Sequence, residues 1–325
     1  MKKMNNLLML SALQSADSIY MCTHVNPDGD AIGSMLAAGR MLEKMGKHVT
    51  MCCDDPVPKR IAFLPGADRV LLPEDASGKA FDLAFALDCA DEKRMGRCAE
   101  IFSGVPVRIQ LDHHDTNPMY AMINEVDGRS SSTGCMVKRL ADALNADIDA
   151  VMAVCIYTAI STDTGNFSFS NTDEETFACA AAMVKTGFDL NEASRYVHLL
   201  REEAHVRLLG CALQSLKTFA DGNCTAMYLT EADYEASGAS GEHSDGIINY
   251  ALNMPGVKMT YLMDRRRDFI KISFRAVAPY NVAKIAACFG GGGHVLASGC
   301  RTHLSMPEAE SIIRSEMIKQ IEEMK

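Results

Sequence analysis

Short unbroken apolar runs alternate with longer one-faced stretches along the first half of the chain. "SIYMCTH" has strand length, and "DAIGSMLAAGRMLEKMG" after it places Ile32, Met35, Leu36 and Leu42 on one side of a helix that Gly46 ends. The same pattern predicts strands in "HVTMCCDD", "FDLAFALDCAD" and "VPVRIQLDHH", then helices in "SSTGCMVKRLADALN" and "DIDAVMAVCIYTAIST". Strands apolar on both faces and separated by helices belong to α/β proteins, so the first domain should hold a largely parallel sheet flanked by helices. From about residue 173 the chain turns helical and charged, and after about residue 220 the period shortens to two. "VKMTYLMDRRRDFIKISFRAV" then reads as a hairpin turning at 265–268, followed by helices around a glycine run. The expected organisation is an α/β domain over 1–190, a helical linker over 191–219 and a smaller C-terminal α+β domain over 220–325, with no internal repeat.

Composition sharpens this picture. At 325 residues and 48% hydrophobic, the chain is folded throughout and long enough for two cores. The balance of 32 basic against 42 acidic residues gives a net charge of −10, which disfavours general adhesion to nucleic acid or anionic membranes. A phosphate-bearing ligand must therefore meet a local positive site. Twelve cysteines with no C-x-x-C spacing fit neither a zinc knuckle nor a disulfide framework. They fit a reducing cytoplasm, mostly as small buried side chains. The amino-terminal "MKKMNNLLMLSALQSADSIYM" has too short an apolar core for a signal peptide and reads as an opening helix. No apolar run is long enough to span a membrane.

The candidate chemistry lies where the predicted strands stop, which is where open α/β sheets bind ligands. The first strand ends in His24, Asp28 and Asp30, the third in Asp88 and Asp91, and the fourth in Asp112, His113, His114 and Asp115. Asp163 stands where an apolar helix runs out. Gathered without cations, these carboxylates would repel one another. Carboxylate plus imidazole, with no thiolate, suits hard or borderline divalent ions, Mn²⁺ first, with Mg²⁺, Co²⁺ and Fe²⁺ as alternatives. Six candidate ligands exceed the needs of one ion. Two ions about 3.5–4 Å apart form a known device for phosphate-ester hydrolysis. Taken alone, "DGD" is an ordinary turn and "DHH" an ordinary histidine pair; the joint placement carries the inference.

"THVNPDGDAIGS", "ALDCAD", "LDHHDTNP" and "STDTGNFSFSNT" resemble, in order, the four motifs of the DHH phosphoesterase superfamily. "FIKISFRAVAPYNVAKIAACFGGGGHVLASGC" is similar to the DHH-associated domain of the first type, so the likeness runs from about residue 18 to 304. Within the superfamily the length and two-domain plan are similar to the small oligoribonuclease/3′-phosphoadenosine 5′-phosphate (pAp) phosphatase group, called NrnA-like. The resemblance makes 1–190 the catalytic domain and 220–325 the substrate-binding domain. It implies a first metal on His24, Asp28 and Asp88 and a second on Asp30, Asp88, His113 and Asp163, with Asp88 bridging. It places His114 at the scissile phosphate, and Asp112 is expected to orient the histidine pair. A homodimer through the first domain is also implied. Two departures bear on substrate preference: Ala276 follows Arg275 where Ser is usual, and "LASG" stands where "AAG" is usual.

The glycine run brings a second site into view. Gly291, Gly292 and Gly293 before His294 would let backbone amides approach an anion, ahead of a helix-like segment and after the strand carrying Arg275. Arg275 and His294 would hold the substrate's terminal nucleotide and outer phosphate while its phosphoester lies over the metals. Arg265–Arg267 is read as a solvated hairpin. Ser131, among the hydroxyls before a helix, is a candidate substrate contact, although capping alone explains it. The expected substrates are short RNA oligonucleotides and pAp. The alternatives are a cyclic-di-AMP or pApA phosphodiesterase and, outside enzymes, a metal-dependent nucleotide-binding module.

Overall fold

The strand-length apolar runs of the first half form a five-stranded parallel sheet. The computed structural model describes Met4 and residues 6–324, and the chain divides between Leu200 and Arg201 into two units. The first unit runs α1 (Leu7–Ser15), β1 (Ser18–Cys22), α2 (Gly29–Lys44), β2 (His48–Cys52), α3 (Pro73–Ala76), β3 (Leu83–Leu87) and α4 (Cys98–Gly104). It continues through β4 (Val107–Asp112), β5 (Ile123–Val126), α5 (Thr133–Ala143), α6 (Ala150–Asp163), α7 (Glu174–Val184), α8 (Leu190–Ser194) and a π-helical turn at Arg195–Leu199.

The sheet order is β2-β1-β3-β4-β5, with every neighbouring pair parallel. From β1 the chain goes outward to β2, and from β3 it goes the other way to β4. Loops diverge at such a reversal and open a crevice beyond the strands' carboxyl ends. All five residues of β3 are buried, as its unbroken "LAFAL" requires.

Small residues draw the helices together over this crevice. A Cβ on Gly33 would lie 2.5 Å from the Cys155 carbonyl oxygen, and one on Gly134 2.5 Å from the Ala159 Cβ. Any side chain there would push α2 and α5 away from α6. Their contact brings the α2 and α5 amino termini and the α6 carboxyl terminus to one place.

The second unit contains α9 (Glu203–Gln214), β6 (Lys217–Phe219), β7 (Cys224–Leu229), α10 (Glu231–Ser237), α11 (Ile248–Leu252), β8 (Met259–Arg265) and β9 (Ile270–Ala276). It ends with α12 (Val282–Ala287), β10 (Gly292–His294), β11 (Ala297–Thr302) and α13 (Met306–Glu323). Its mixed sheet is ordered β10-β11-β9-β8-β7-β6. Ile270, Ile272 and Phe274 of β9 pack with Ile285 of α12 and Ile313 and Met317 of α13. Lys271, Ser273 and Arg275 alternate out of that core.

Three features depart from the sequence expectation. The segment 191–219, expected as a linker helix, divides at Leu200, its first part packed in the first unit and α9 in the second. The edge strand β5 was not expected, because "INEV" is half-buried and lacks an apolar run. The glycine run follows a helix instead of preceding one, and builds the β10–β11 hairpin. The cause is steric: a Cβ on Gly291 would lie 2.3 Å from the Gly299 carbonyl oxygen. Among the described residues no helix is long and apolar enough to cross a membrane.

Candidate metal centre

The expected ligands leave the sheet on either side of the reversal between β1 and β3. Two residues beyond β1, His24 is 4% exposed. Asp28 caps α2 by accepting from the amides of Asp30 (3.0 Å) and Ala31 (3.1 Å), so the helix fixes the position of both carboxylates. Immediately after β3, Asp88 adopts a left-handed backbone (φ 52°), and its carboxylate is buried. This conformation costs an L residue energy and is typical of functional turns.

The side chains converge in three sets of possible ligands, one of them Asp88, His113 and His114. His24, Asp28 and Asp88 offer ligand atoms within 4.8 Å of one another, and so do Asp30, His113 and Asp163. Asp88 joins them: its Oδ2 lies 3.6 Å from His24 Nε2 and its Oδ1 lies 3.5 Å from His113 Nε2. One carboxylate thus faces both imidazoles, one oxygen to each, as a bridging ligand must. Both rings present the right nitrogen. His24 Nδ1 donates to the Val25 carbonyl (2.8 Å) and His113 Nδ1 to the Ser130 carbonyl (3.2 Å), so each Nε2 keeps a lone pair toward the pocket.

The expectation for Asp112 is only half met. It accepts from His114 Nδ1 at 2.8 Å, turning Nε2 of that ring outward, but it does not orient His113. Asp112 is itself held by Asn117, whose Nδ2 donates at 2.6 Å and whose amide also pairs with the buried Gln110. Asp91 instead caps the turn that follows, by accepting from the Lys93 amide. Asp115 stands outside all three ligand sets.

Electrostatics mark the pocket as built for cations. Burial, followed by the charges of Asp88, Asp163 and Asp28, pushes the Asp30 carboxyl well above the usual carboxylate range. Asp163 is raised to about 6, chiefly by burial; Asp88 and Asp28 raise it and His113 opposes them. Burial also opposes ionisation of Asp88, yet the histidines outweigh it and hold its carboxyl low. For His24, burial disfavours the charged ring, but the Asp88 hydrogen bond and charge prevail and raise it. Without cations such a pocket holds protons; divalent ions would displace them and remove the repulsion. The donor set and its geometry fit a pair of divalent metals.

Several working residues were not visible in the sequence. The α5 amino terminus receives an anion, as its hydroxyl-rich start suggested, but the anion is Asp30. Thr133 and Gly134 amides donate to its two oxygens at 2.7 and 2.9 Å, and Ser34 Oγ donates at 2.9 Å. Thr133 Oγ1 also donates to Asp88 Oδ1 at 3.0 Å. Ser131, expected at the substrate, is only 3% exposed, with its hydroxyl 3.4 Å from Cys135 Sγ. Close helix packing buries it, and Thr133 is the hydroxyl at the pocket. The only sequence signal was the run "SSST" ahead of the helix, which does not say which hydroxyl turns inward.

In the second unit, strand register brings the two cationic candidates together. His294 of β10 is opposite Ala297 of β11, which in turn is opposite Arg275 of β9. Residues so paired share a sheet face, two strand spacings or about 10 Å apart. His294 is exposed; Arg275 is half-buried, and its Nη1 donates to the Phe274 carbonyl at 2.9 Å. Gly291 and Gly293 are required by the hairpin, whereas Gly292 has open space beside it.

The chain is similar to known proteins in sequence and in fold. The family model "DHH family, N-terminal domain" matches residues 18–160. The bifunctional oligoribonuclease and PAP phosphatase NrnA of Thermus thermophilus is 34% identical over 284 residues, 86% of this chain and 83% of that protein. An exopolyphosphatase-related protein from Bacteroides fragilis has a crystal structure that superposes with a TM-score of 0.88 at 28% identity, covering 96% and 95% of the two chains. RecJ from Thermus thermophilus, solved in complex with Mn²⁺, shares the fold at a TM-score of 0.54 and 13% identity, over 95% of this chain and 53% of that one.

Proposed function

This chain belongs to the DHH family of phosphoesterases, and on that premise we propose that it hydrolyses short oligoribonucleotides to mononucleotides and pAp to AMP and phosphate. The observation that carries the reading is Asp88, its two oxygens divided between His24 and His113 at the reversal of the sheet. His24, Asp28 and Asp88 would hold one ion and Asp30, Asp88, His113 and Asp163 the other, with Mn²⁺ favoured by the mixed imidazole–carboxylate donors. Bound there, two such ions would supply a nucleophile from water and neutralise charge on the phosphoryl oxygens.

The chain's own groups do the rest. Thr133 and the α5 amides hold Asp88 and Asp30 in place, so the ligands need no rearrangement. His114 receives its proton affinity first from the Asp112 hydrogen bond, which raises its pKa despite burial. Its ring is therefore suited to donate to a phosphoryl oxygen or to the departing oxygen. Arg275 and His294, in one row of the second sheet, are suited to an outer phosphate or a base of the substrate. A clamp of two residues in an acidic chain suits a ligand of few phosphates better than a long polyanion.

A Mn²⁺-supplemented panel tests this reading with pAp, dinucleotides to pentanucleotides, pApA, cyclic di-AMP and pyrophosphate. The expected products are AMP and phosphate from pAp and mononucleotides from the shortest RNAs. Preferential turnover of cyclic di-AMP or of pyrophosphate would overturn it.

A further inference from the structure

The turn after β3 places an arginine beside the metal centre that the ligand set does not use. Asp91 caps a 3₁₀ turn at Glu92–Met95, and the Arg94 carbonyl accepts from the Val25 amide at 2.6 Å. That bond ties the loop after β3 to the loop after β1, the two loops that carry Asp88 and His24. It also fixes where the Arg94 side chain starts. The guanidinium reaches His24, with Nη2 3.1 Å from Nδ1. That nitrogen's hydrogen is already given to the Val25 carbonyl, so it cannot accept from Arg94. Arg94 is exposed, and among the described residues no carboxylate lies within ion-pairing distance of it. Arg97, three residues on, pairs with both Asp54 and Glu74.

Charge counting gives this unpaired cation a task. The four ligand carboxylates Asp28, Asp30, Asp88 and Asp163 carry −4, and two divalent ions carry +4. The loaded centre is then close to neutral, and attraction for an incoming phosphate must come from further cations. Arg94 touches His24, a ligand of one expected ion, so a phosphate over that ion would meet its free N–H groups.

We propose that Arg94 is a substrate-binding residue of the metal centre, its guanidinium donating to a non-bridging oxygen of the phosphate that lies over the ions. The proposal rests on the functional reading above and names a contact within the same site. The test compares the Mn²⁺-loaded wild type with Arg94→Ala and Arg94→Lys, measuring kcat and KM on pAp and a dinucleotide, AMP inhibition, and Mn²⁺ affinity by titration. Arg94→Ala should lower kcat/KM about 10²-fold on both substrates. It should weaken AMP in parallel and leave Mn²⁺ affinity within about twofold, with Arg94→Lys recovering part of the loss. Unchanged kcat/KM and AMP affinity would overturn the proposal. So would a loss that follows a fall in Mn²⁺ affinity, because Arg94 would then only support His24. A wild type that hydrolyses no phosphoester would sink the functional reading instead, and AMP affinity would still decide the role of Arg94.

Discussion

The two polar clusters of this protein are built in opposite ways. In the first unit four of the six expected ligands have their positions set by other groups: Asp30 by two amides and Ser34, Asp88 by Thr133, His24 and His113 by carbonyls. In the second unit Arg275 and His294 share a face through strand register; Arg275 has one further tie, to the Phe274 carbonyl, and His294 is exposed with none. Reacting groups gain from being held before substrate arrives, since misplacement directly costs transition-state stabilisation. A group that only grips a substrate's far end can adapt. On the proposed function, rate would belong to the first cluster and selection to the second.

Substitutions can break or sharpen that division. Asp88→Asn removes the carboxylate shared by both ligand sets, so turnover of every substrate should fall by more than about 10³-fold, with metal content falling too. Steady-state assays beside metal analysis read this directly. His114→Ala should lower kcat by about 10²–10³-fold while the metals stay bound, a loss confined to the chemical step. Thr133→Val keeps the shape but removes the hydrogen bond to Asp88, and should weaken Mn²⁺ about tenfold in a titration. Arg275→Ala should act in the other manner, raising KM about tenfold with kcat nearly unchanged. A large kcat loss there would end the division.

The smallest expected effect lies outside both clusters. Asp149 caps α6 through the Met152 amide and pairs with Arg40 and Lys44. Burial alone would raise its carboxyl, but Arg40, the Met152 amide and Lys44 bring it down to about 2. The folded value is below the unfolded one of about 3.9, so this stabilisation is complete above pH 4–5 or so and fades as pH falls toward 2. Asp149→Ala should cost about 1 kcal/mol at neutral pH, mostly from the lost cap, because exposed ion pairs contribute little. Thermal melts across that range should show the deficit shrinking in acid.

Much of this was legible in the sequence for identifiable reasons. "LAFAL" and "SIYMC" are apolar on both faces, and only a covered parallel sheet accommodates that. The acids and histidines directly after them had to lie at the strands' carboxyl ends, so the candidate ligands could be grouped before their distances were known. What stayed hidden depends on contacts between distant segments. Nothing local says that Thr133 turns inward while Ser131 is buried against Cys135, or that Gln110 and Asn117 brace Asp112. The place of the glycine run after a helix and in a hairpin was not legible locally, because Gly291 is dictated by the approach of Gly299 on the next strand. Arg94 looks like any solvated turn residue until the Val25 amide is seen bound to its carbonyl.

Mn²⁺ titration of the purified protein followed by electron paramagnetic resonance reads directly whether two cations share Asp88. Two ions per chain are expected, with a spin-coupled signal that disappears in Asp88→Asn. A single uncoupled ion per chain, with Asp88→Asn binding it as the wild type does, would contradict the shared centre.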